Sequence, residues 1–401
     1  MREITILPQI RSISRRMEKK TLAVLEYPKI LGKLSAHCAF SASREFALGL
    51  LPITEHDLIQ TMLEETTEAR RLLSVHDVGV GGVHDIREKI HLARRGGVLE
   101  AGDLLDVKYS LIASRDLRAF FLGKKTTSEK TDPKGKKRLT TEQDEEPEFD
   151  SKKFQYPKLT GHASHIKVPS GIIDQISRTV SDKGEVLDSA SVKLRSIRTE
   201  LQTAKNRLLG RLQHYLGDAK TGQMLQESII TQRDGRYVIP LKSEFKGQIK
   251  SIVRDQSASG ATLFIEPLAV VELNNELKEL ELAERNEVRR ILSELSTQIG
   301  VHEFDICDSI EALAILDLIF AKAKFADEIG AREPILVTSK ETDSSKQIKL
   351  LKARHPLLDP MTAIPNNIEL VPGTKAIVIT GPNTGGKTVT LKMVGLLVLM
   401  T

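Results

Sequence analysis

Apolar residues recur along most of this chain at steps of three and four, the spacing that lines one face of an α-helix. Leu22, Leu25, Ile30, Leu31 and Leu34 open the first such series. Leu58, Ile59, Met62, Leu63, Ala69, Leu72 and Leu73 predict a long helix from Asp57 to Leu73, with Glu64, Glu65 and Glu68 outside, and the run from Gly79 to Gly82 breaks it. Leu104, Leu105, Val107 and Leu111 predict a further helix over 99–122, so residues 21–122 read as an all-α block. The positions Ile306, Ile310, Leu313, Leu316, Ile319 and Phe320 return to this character over 301–333.

Two stretches keep the period longer. Leu194, Ile197, Leu201, Ala204, Leu208 and Tyr215 alternate mostly by three and four, the seam of a coiled coil. From Ser189 to Leu216 this makes an arm of about 40 Å. A second arm follows Pro267 through Val270, Leu273, Leu277, Leu280, Val288, Leu292, Leu295 and Ile299, with Glu284 interrupting its seam. Between the arms the pattern shortens to strands: Arg236 to Leu241, Gln248 to Arg254, and Ala261 to Ile265, the last two joined across Ser257 to Gly260. Residues 189–300 thus predict antiparallel coiled-coil lever arms with a β clamp at 227–266, and 161–188 reads as core and linker.

The pattern changes again at 334–401. Ala376 to Thr380 is a short β-branched run that reads as a buried strand, and Val389 to Met400 reads as an apolar helix. Between them stands Gly381-Pro382-Asn383-Thr384-Gly385-Gly386-Lys387-Thr388, which fits G-x-x-x-x-G-K-[ST] at every fixed position. Gly385 and Gly386 let the backbone aim several N–H groups at phosphate oxygens, helped by the positive end of the following helix. Lys387 can reach β and γ phosphates, and the Thr388 hydroxyl can ligate Mg²⁺, so a nucleoside triphosphate with Mg²⁺ is the expected ligand. The fold class is therefore mainly α: a helical core, arms bearing a small β clamp, then the start of an α/β P-loop ATPase domain.

Composition agrees with long, surface-rich helices: aromatic residues are 4%, charged residues 28% and Trp is absent. Two cysteines far apart in sequence, Cys38 and Cys307, suggest core thiols in a reduced, cytoplasmic protein. Residues 1–20 form a basic leader with no secretory h-region, and no stretch is apolar enough to span a membrane. Residues 123–160 run from lysines into acids with few apolar positions, which reads as a solvated, structureless insertion.

A net charge of +5 is modest, so nucleic-acid binding would need local patches. Residues 191–211 carry six bases (Lys193, Arg195, Arg198, Lys205, Arg207 and Arg211) against Glu200 alone. The tip adds Arg233, Arg236, Lys242, Lys246, Lys250 and Arg254. Such residues could contact phosphates without reading sequence, or could simply be the solvated face of exposed elements, and composition does not choose. With only Tyr237, Phe245 and Phe264 nearby, the tip does not look like a single-strand stacking platform. His355, next to Pro356, reads as a turn-fixing residue rather than a catalytic one, and His162 with His165 lacks the partners of a metal site. No catalytic nucleophile or nuclease constellation is evident.

Arg354-His355-Pro356 together with the glycine turn resembles the ATPase region of the MutS mismatch-repair family, and the Thr-Gly-Gly-Lys-Thr form is similar to its MutS-II branch. Arg236 to Pro240, with Asp255 to Pro267, resembles the clamp of that branch, and Thr21 to Tyr27 its N-terminus. The resemblance runs from about residue 20 to the end, apart from the insertion. It implies an ATPase homodimer with ATP as its nucleotide, without the mismatch-reading and connector domains, that embraces branched or mismatched DNA and suppresses homologous recombination. Some members act on stalled or collided ribosomes, and a C-terminal Smr domain supplies endonuclease activity in many. The chain reaches Thr401, thirteen residues past Thr388, and is read as an N-terminal portion truncated just after this turn. The acidic strand, signature loop and Smr domain of the family pattern would follow. The family's adenine-stacking aromatic is not evident, and Ile364 or Pro365 would offer an aliphatic surface instead. An SMC-like or Rad50-like protein is the rival ATPase, but there the phosphate turn precedes the coil, whereas here it follows. A non-catalytic lever-and-clamp module acting on ribosomes is the third reading.

Overall fold

The computed structural model describes residues 18–122, 155–337, 348–359, 361–370, 376–382 and 386–401. Of the expected basic leader over 1–20 and insertion over 123–160, residues 1–17 and 123–154 lie outside the described residues. The end of the expected insertion is not structureless, because Tyr156, Leu159 and Thr160 are buried where a helix begins at Pro157. In chain order the helices begin with α1 (Lys19–Val24), α2 (Tyr27–Ala36), α3 (Ser41–Leu48), α4 (His56–Val75), α5 (Arg87–Arg94) and α6 (Ala101–Leu122). There follow α7 (Pro157–Ser164), α8 (Ile172–Thr179), α9 (Val192–Gly217) and α10 (Ala219–Met224), then strands β1 (Thr231–Arg233), β2 (Arg236–Lys242), β3 (Ser251–Gln256) and β4 (Thr262–Pro267). The described residues end with α11 (Leu268–Val301), α12 (Glu303–Glu328), β5 (Ile348–Ala353), β6 (Asn366–Leu370) and α13 (Lys387–Met400). The chain is mainly helical with small antiparallel sheets, as its hydrophobic pattern predicts.

The described residues divide into two compact units, one within Met1–Ile90, Asp106–Ser170 and His302–Thr401, the other within His91–Leu105 and Gly171–Val301. The first is built on α12. Its positions Ile306, Ile310, Leu313, Leu316, Ile319 and Phe320 are all buried, and the unbroken buried run from Leu316 to Ala321 covers a full turn because α2, α3, α4 and α7 pack against the helix. Two acids from packed helices satisfy the starts of others that lack capping side chains of their own. Asp317 of α12 accepts the Ala39 N–H at 2.7 Å and the Ser43 hydroxyl where α3 begins. Glu68 of α4 accepts the N–H groups of Lys158 at 3.0 Å and Leu159 at 3.2 Å at the start of α7. The strands β5 and β6 form a separate antiparallel pair.

The second unit holds the two long helices, α9 and α11, and a four-stranded sheet in the order β1-β2-β4-β3. Partners between the helices run in opposite directions: Ser191 with Glu287, Arg198 with Glu284, Arg207 with Glu276. The arms are therefore antiparallel. The seam of α11 differs from expectation where polar residues turn inward: Asn274 is buried beside a half-buried Leu273, and Glu287 is buried beside a half-buried Val288. Glu287 is turned in because it accepts from Ser191 Oγ, Arg290 and Lys193, partners that periodicity does not show. Glu284, which breaks the apolar seam, holds Arg198 at 2.7 Å. Residues 161–188 include α8, whose Ile172 and Ile176 are buried.

The sheet sits on the helices through Leu208, Leu212, Ile239, Leu241, Ile265 and Val270, among others, all buried. Strand β4 runs into α11 without a loop. The strand β1 was not anticipated. Asp234 at φ +50° and Gly235 at φ +74° turn it into β2, with Arg233 opposite Arg236. This is the two-residue Asp-Gly hairpin whose positive φ angles match the twist of the strands.

Candidate nucleotide and nucleic-acid sites

Helix α13 starts at Lys387, and Gly386 precedes it at φ +80°, a left-handed conformation that favours glycine. Gly381, at the other end of the turn, has φ +140°. A Cβ built on either glycine would meet nothing within 4 Å among the described residues. Lys387 Nζ donates to the Gly381 carbonyl, which closes the turn end to end. Thr388 is exposed and its hydroxyl has no partner among the described residues, leaving it available to a ligand. Asn383, Thr384 and Gly385 lie outside the described residues.

One expectation fails here. Residues 376–380 form no strand, and Ile377, Val378 and Ile379 are 46%, 83% and 40% exposed. A strand is held by a neighbour's ladder, and among the described residues nothing pairs with this segment; β-branched composition alone does not create one. The helix half of the strand–turn–helix pattern is formed and the strand half is not.

His355 is buried and fixes a turn, as the neighbouring proline suggested. Its Nδ1 accepts the Leu357 N–H at 3.3 Å, its carbonyl accepts the Leu358 N–H at 3.0 Å, and burial lowers its pKa, which keeps Nδ1 free to accept. Arg354 Nε donates to the Ala363 carbonyl at 3.2 Å, and Ile364 is 79% exposed. Beside α13 lies a cleft of about 510 Å³ whose lining includes Thr388, Val389, Lys392, Glu26, Lys29 and His355.

At the sheet, the basic residues split into two groups. Arg236 Nη1 and Arg254 Nη2 both reach Glu266, a wholly buried carboxylate, at 3.0 and 2.5 Å. Arg236 also donates to Asn275 Oδ1 at 2.7 Å. Neighbouring Asn274 donates to Glu266 at 2.8 Å and makes both backbone bonds to Tyr237, so α11 grips β2 as another strand would. Arg233 lies 4.0 Å from the Phe264 ring centroid and pairs with Asp255 at 2.9 Å. Lys242 donates to the Gln223 carbonyl at 3.1 Å. Lys246 and Lys250 are exposed and have no partner among the described residues. Along α9, Lys193, Arg198 and Arg207 have carboxylate partners, whereas Arg195, Lys205 and Arg211 have none among the described residues.

Sequence reasoning missed Glu266 as the hub of this network. Its signal was an acid inside an otherwise apolar strand, Leu263-Phe264-Ile265-Glu266-Pro267. Cys38 and Cys307 are free thiols, and burial pushes both up to about 11, so neither is reactive. His162 is bonded to Glu65 at 2.7 Å, and among the described residues no group of His, Cys, Asp and Glu is placed to hold a metal ion. No described helix is long and apolar enough to cross a membrane.

No family model matches the chain. Curated proteins do. The endonuclease MutS2 of Geobacillus sp. (strain WCH70) is 40% identical over 385 residues, 96% of this chain and 45% of the relative. That of Bacillus cereus (strain Q1) is 38% identical over the same shares, as is one from Bacillus anthracis. The chain spans about half the length of the curated relatives it matches. The similarity extends over 96% of the chain, which carries the helical core, the antiparallel arms with their four-stranded sheet and the glycine turn at α13: the chain belongs to the MutS family, in its MutS-II branch.

Proposed function

We propose that this chain supplies the core, the clamp and the phosphate-binding turn of an ATP-dependent DNA clamp of the MutS-II kind. As a homodimer it binds branched or mismatched DNA and suppresses homologous recombination. The observation that carries the reading is the start of α13, where a left-handed Gly386, an ammonium at Lys387 and an exposed Thr388, whose hydroxyl has no partner among the described residues, follow one another. Those residues fit a nucleotide triphosphate and Mg²⁺. Lys387 would exchange the Gly381 carbonyl for phosphate oxygens, the helix N-terminus would face the same charge, and Thr388 would ligate the ion.

At the clamp, Lys246 and Lys250, with Arg195, Lys205 and Arg211 on α9, are the cations left over for phosphate contact. Arg236 and Arg254 serve the fold through Glu266. The relatives' names include an endonuclease; no cluster among the described residues suits a metal-dependent cut, and that step is not assigned to them.

Filter binding of duplex DNA, a four-way junction and ribosomes across a salt series, with Lys387→Ala alongside, tests the proposal. Junction binding tighter than duplex binding, falling steeply with salt and altered by ATP in the wild type only, supports it. Equal junction and duplex binding with tight ribosome capture would replace DNA by the ribosome as the substrate.

A further inference from the structure

Helix α13 is seated on the corner between α1 and α2 by one face. Lys392, Gly395, Leu396 and Leu399 are spaced so that they share a side of the helix. Leu396 is fully buried among Leu22, Tyr27, Ile30 and Phe325, and Leu399 packs on the same cluster. At Gly395 an added Cβ would lie 2.7 Å from Leu25 Cδ2, so the helix rests directly on the corner with no spacer. Next to this contact Lys392 Nζ meets Glu26 Oε2 at 3.0 Å, while Lys29 takes Oε1.

Glu26 itself stands at φ +62°, a left-handed conformation uncommon for a side chain of this kind. Lys29 first, and then Lys392, hold its carboxyl down to about 2, so the carboxylate is charged at neutral pH. Its backbone is tied as well, donating to Ala23 O and accepting from the Lys29 N–H. Lys392 is four residues past Thr388, one turn of a rigid helix, about 6 Å along its axis.

We infer that Glu26 is a positioning residue for the phosphate-binding turn: by clasping Lys392 it fixes where α13 begins, and with it where Lys387 and Thr388 stand. The same linkage runs backwards, so a ligand that pulls on the start of α13 loads the α1–α2 corner of the helical core. This rests on the nucleotide reading for the identity of the ligand, but not for the mechanical contact.

Two readouts on the full chain test it. Amide hydrogen exchange over residues 388–391 reports the seating of α13 without any ligand. Titration with a fluorescent ATP analogue and Mg²⁺ reports the turn. Glu26→Gln and Lys392→Met should each speed exchange there and weaken nucleotide binding by about threefold. Their double variant should be no worse than either alone, because both remove one clasp. Glu294→Gln, an exposed carboxylate of α11, is the control for losing a charge. Unchanged exchange at 388–391 in both variants, or effects that simply add, overturns the inference whatever the nucleotide data show. Faster exchange in a chain whose wild type binds no nucleotide would support the clasp and sink the nucleotide reading instead.

Discussion

Glu266 is wholly buried beneath the clamp sheet, and Arg236 Nη1 stands 3.0 Å from its Oε1. Arg254 holds the second oxygen, so two strands, β2 and β3, are tied to one carboxylate carried by the strand between them. Breaking a buried pair leaves charge without its partner, whereas trimming an exposed lysine leaves nothing behind. We predict that Glu266→Ala costs about 3 kcal/mol, the low end for such a change because both guanidiniums reach solvent. Chemical denaturation of the variant would show a lower midpoint, and an unchanged midpoint would rule out the hub.

The leftover cations give the opposite behaviour. Lys246→Ala and Lys250→Ala should leave the unfolding midpoint where it is. Each should reduce the slope of log affinity for duplex DNA against log salt by about one, if each lysine meets a phosphate. Arg236→Ala should lower stability first. A salt slope that does not move in either lysine variant would take the tip out of the DNA contact.

Among the described residues, the Lys387 ammonium bonds to the Gly381 carbonyl alone, so its removal should spare the fold. Lys387→Ala is expected to lose binding of a fluorescent ATP analogue by at least about tenfold, consistent with the loss of a charge-assisted contact worth up to ~3 kcal/mol. Its circular dichroism should match the wild type. Binding that persists at wild-type strength would refute the phosphate role of the turn.

Gly300 of α11 lies against the backbone of α5. A Cβ there would stand 2.8 Å from the Ala93 carbonyl carbon and 2.8 Å from the Arg94 nitrogen, atoms that cannot step aside as a side-chain tip can. Gly300→Ala should therefore destabilise by about 1–3 kcal/mol despite the better helix propensity of alanine. A variant as stable as the wild type would mean the helices separate freely.

Glu287 is buried in the seam, and Arg290 first, then Ser191 and Lys193, hold its carboxyl down to about 2 from 4.5 against burial, which pushes it up. Its folded value lies below its unfolded one, so its contribution is present above about pH 4.5 and is lost as pH falls towards 2. Glu287→Gln should be less stable than wild type at neutral pH, and the gap should close across that window in thermal melts. A gap that widens on acidification would reverse the sign and contradict the pairing.

Much of this architecture was legible in the order of residues. Leu194 to Tyr215 and Val270 to Ile299 announced two long helices because a 3.6-residue period is local and survives any tertiary context. The hairpin at Asp234-Gly235 was missed, although an Asp-Gly pair between strands is a local signal that could have found it. The glycine turn was legible as a motif followed by a helix, and the structure adds that Gly386 enters α13 at positive φ. The strand expected over 376–380 was not, because ladder partners are supplied by other segments and composition carries no record of them.

Read as a string, then, the chain settles its helical class, its paired arms, its turn at α13 and its place among MutS-II proteins. All of these rest on spacings and motifs confined to a few dozen residues. Folding alone decided which charges are spoken for: that Arg236 and Arg254 face Glu266, that Glu287 rather than Val288 turns inward, and that Lys392 finds Glu26 from the far end of the sequence. A charge's role depends on what stands within a few ångströms of it, and distance in space is the one quantity that sequence separation does not encode.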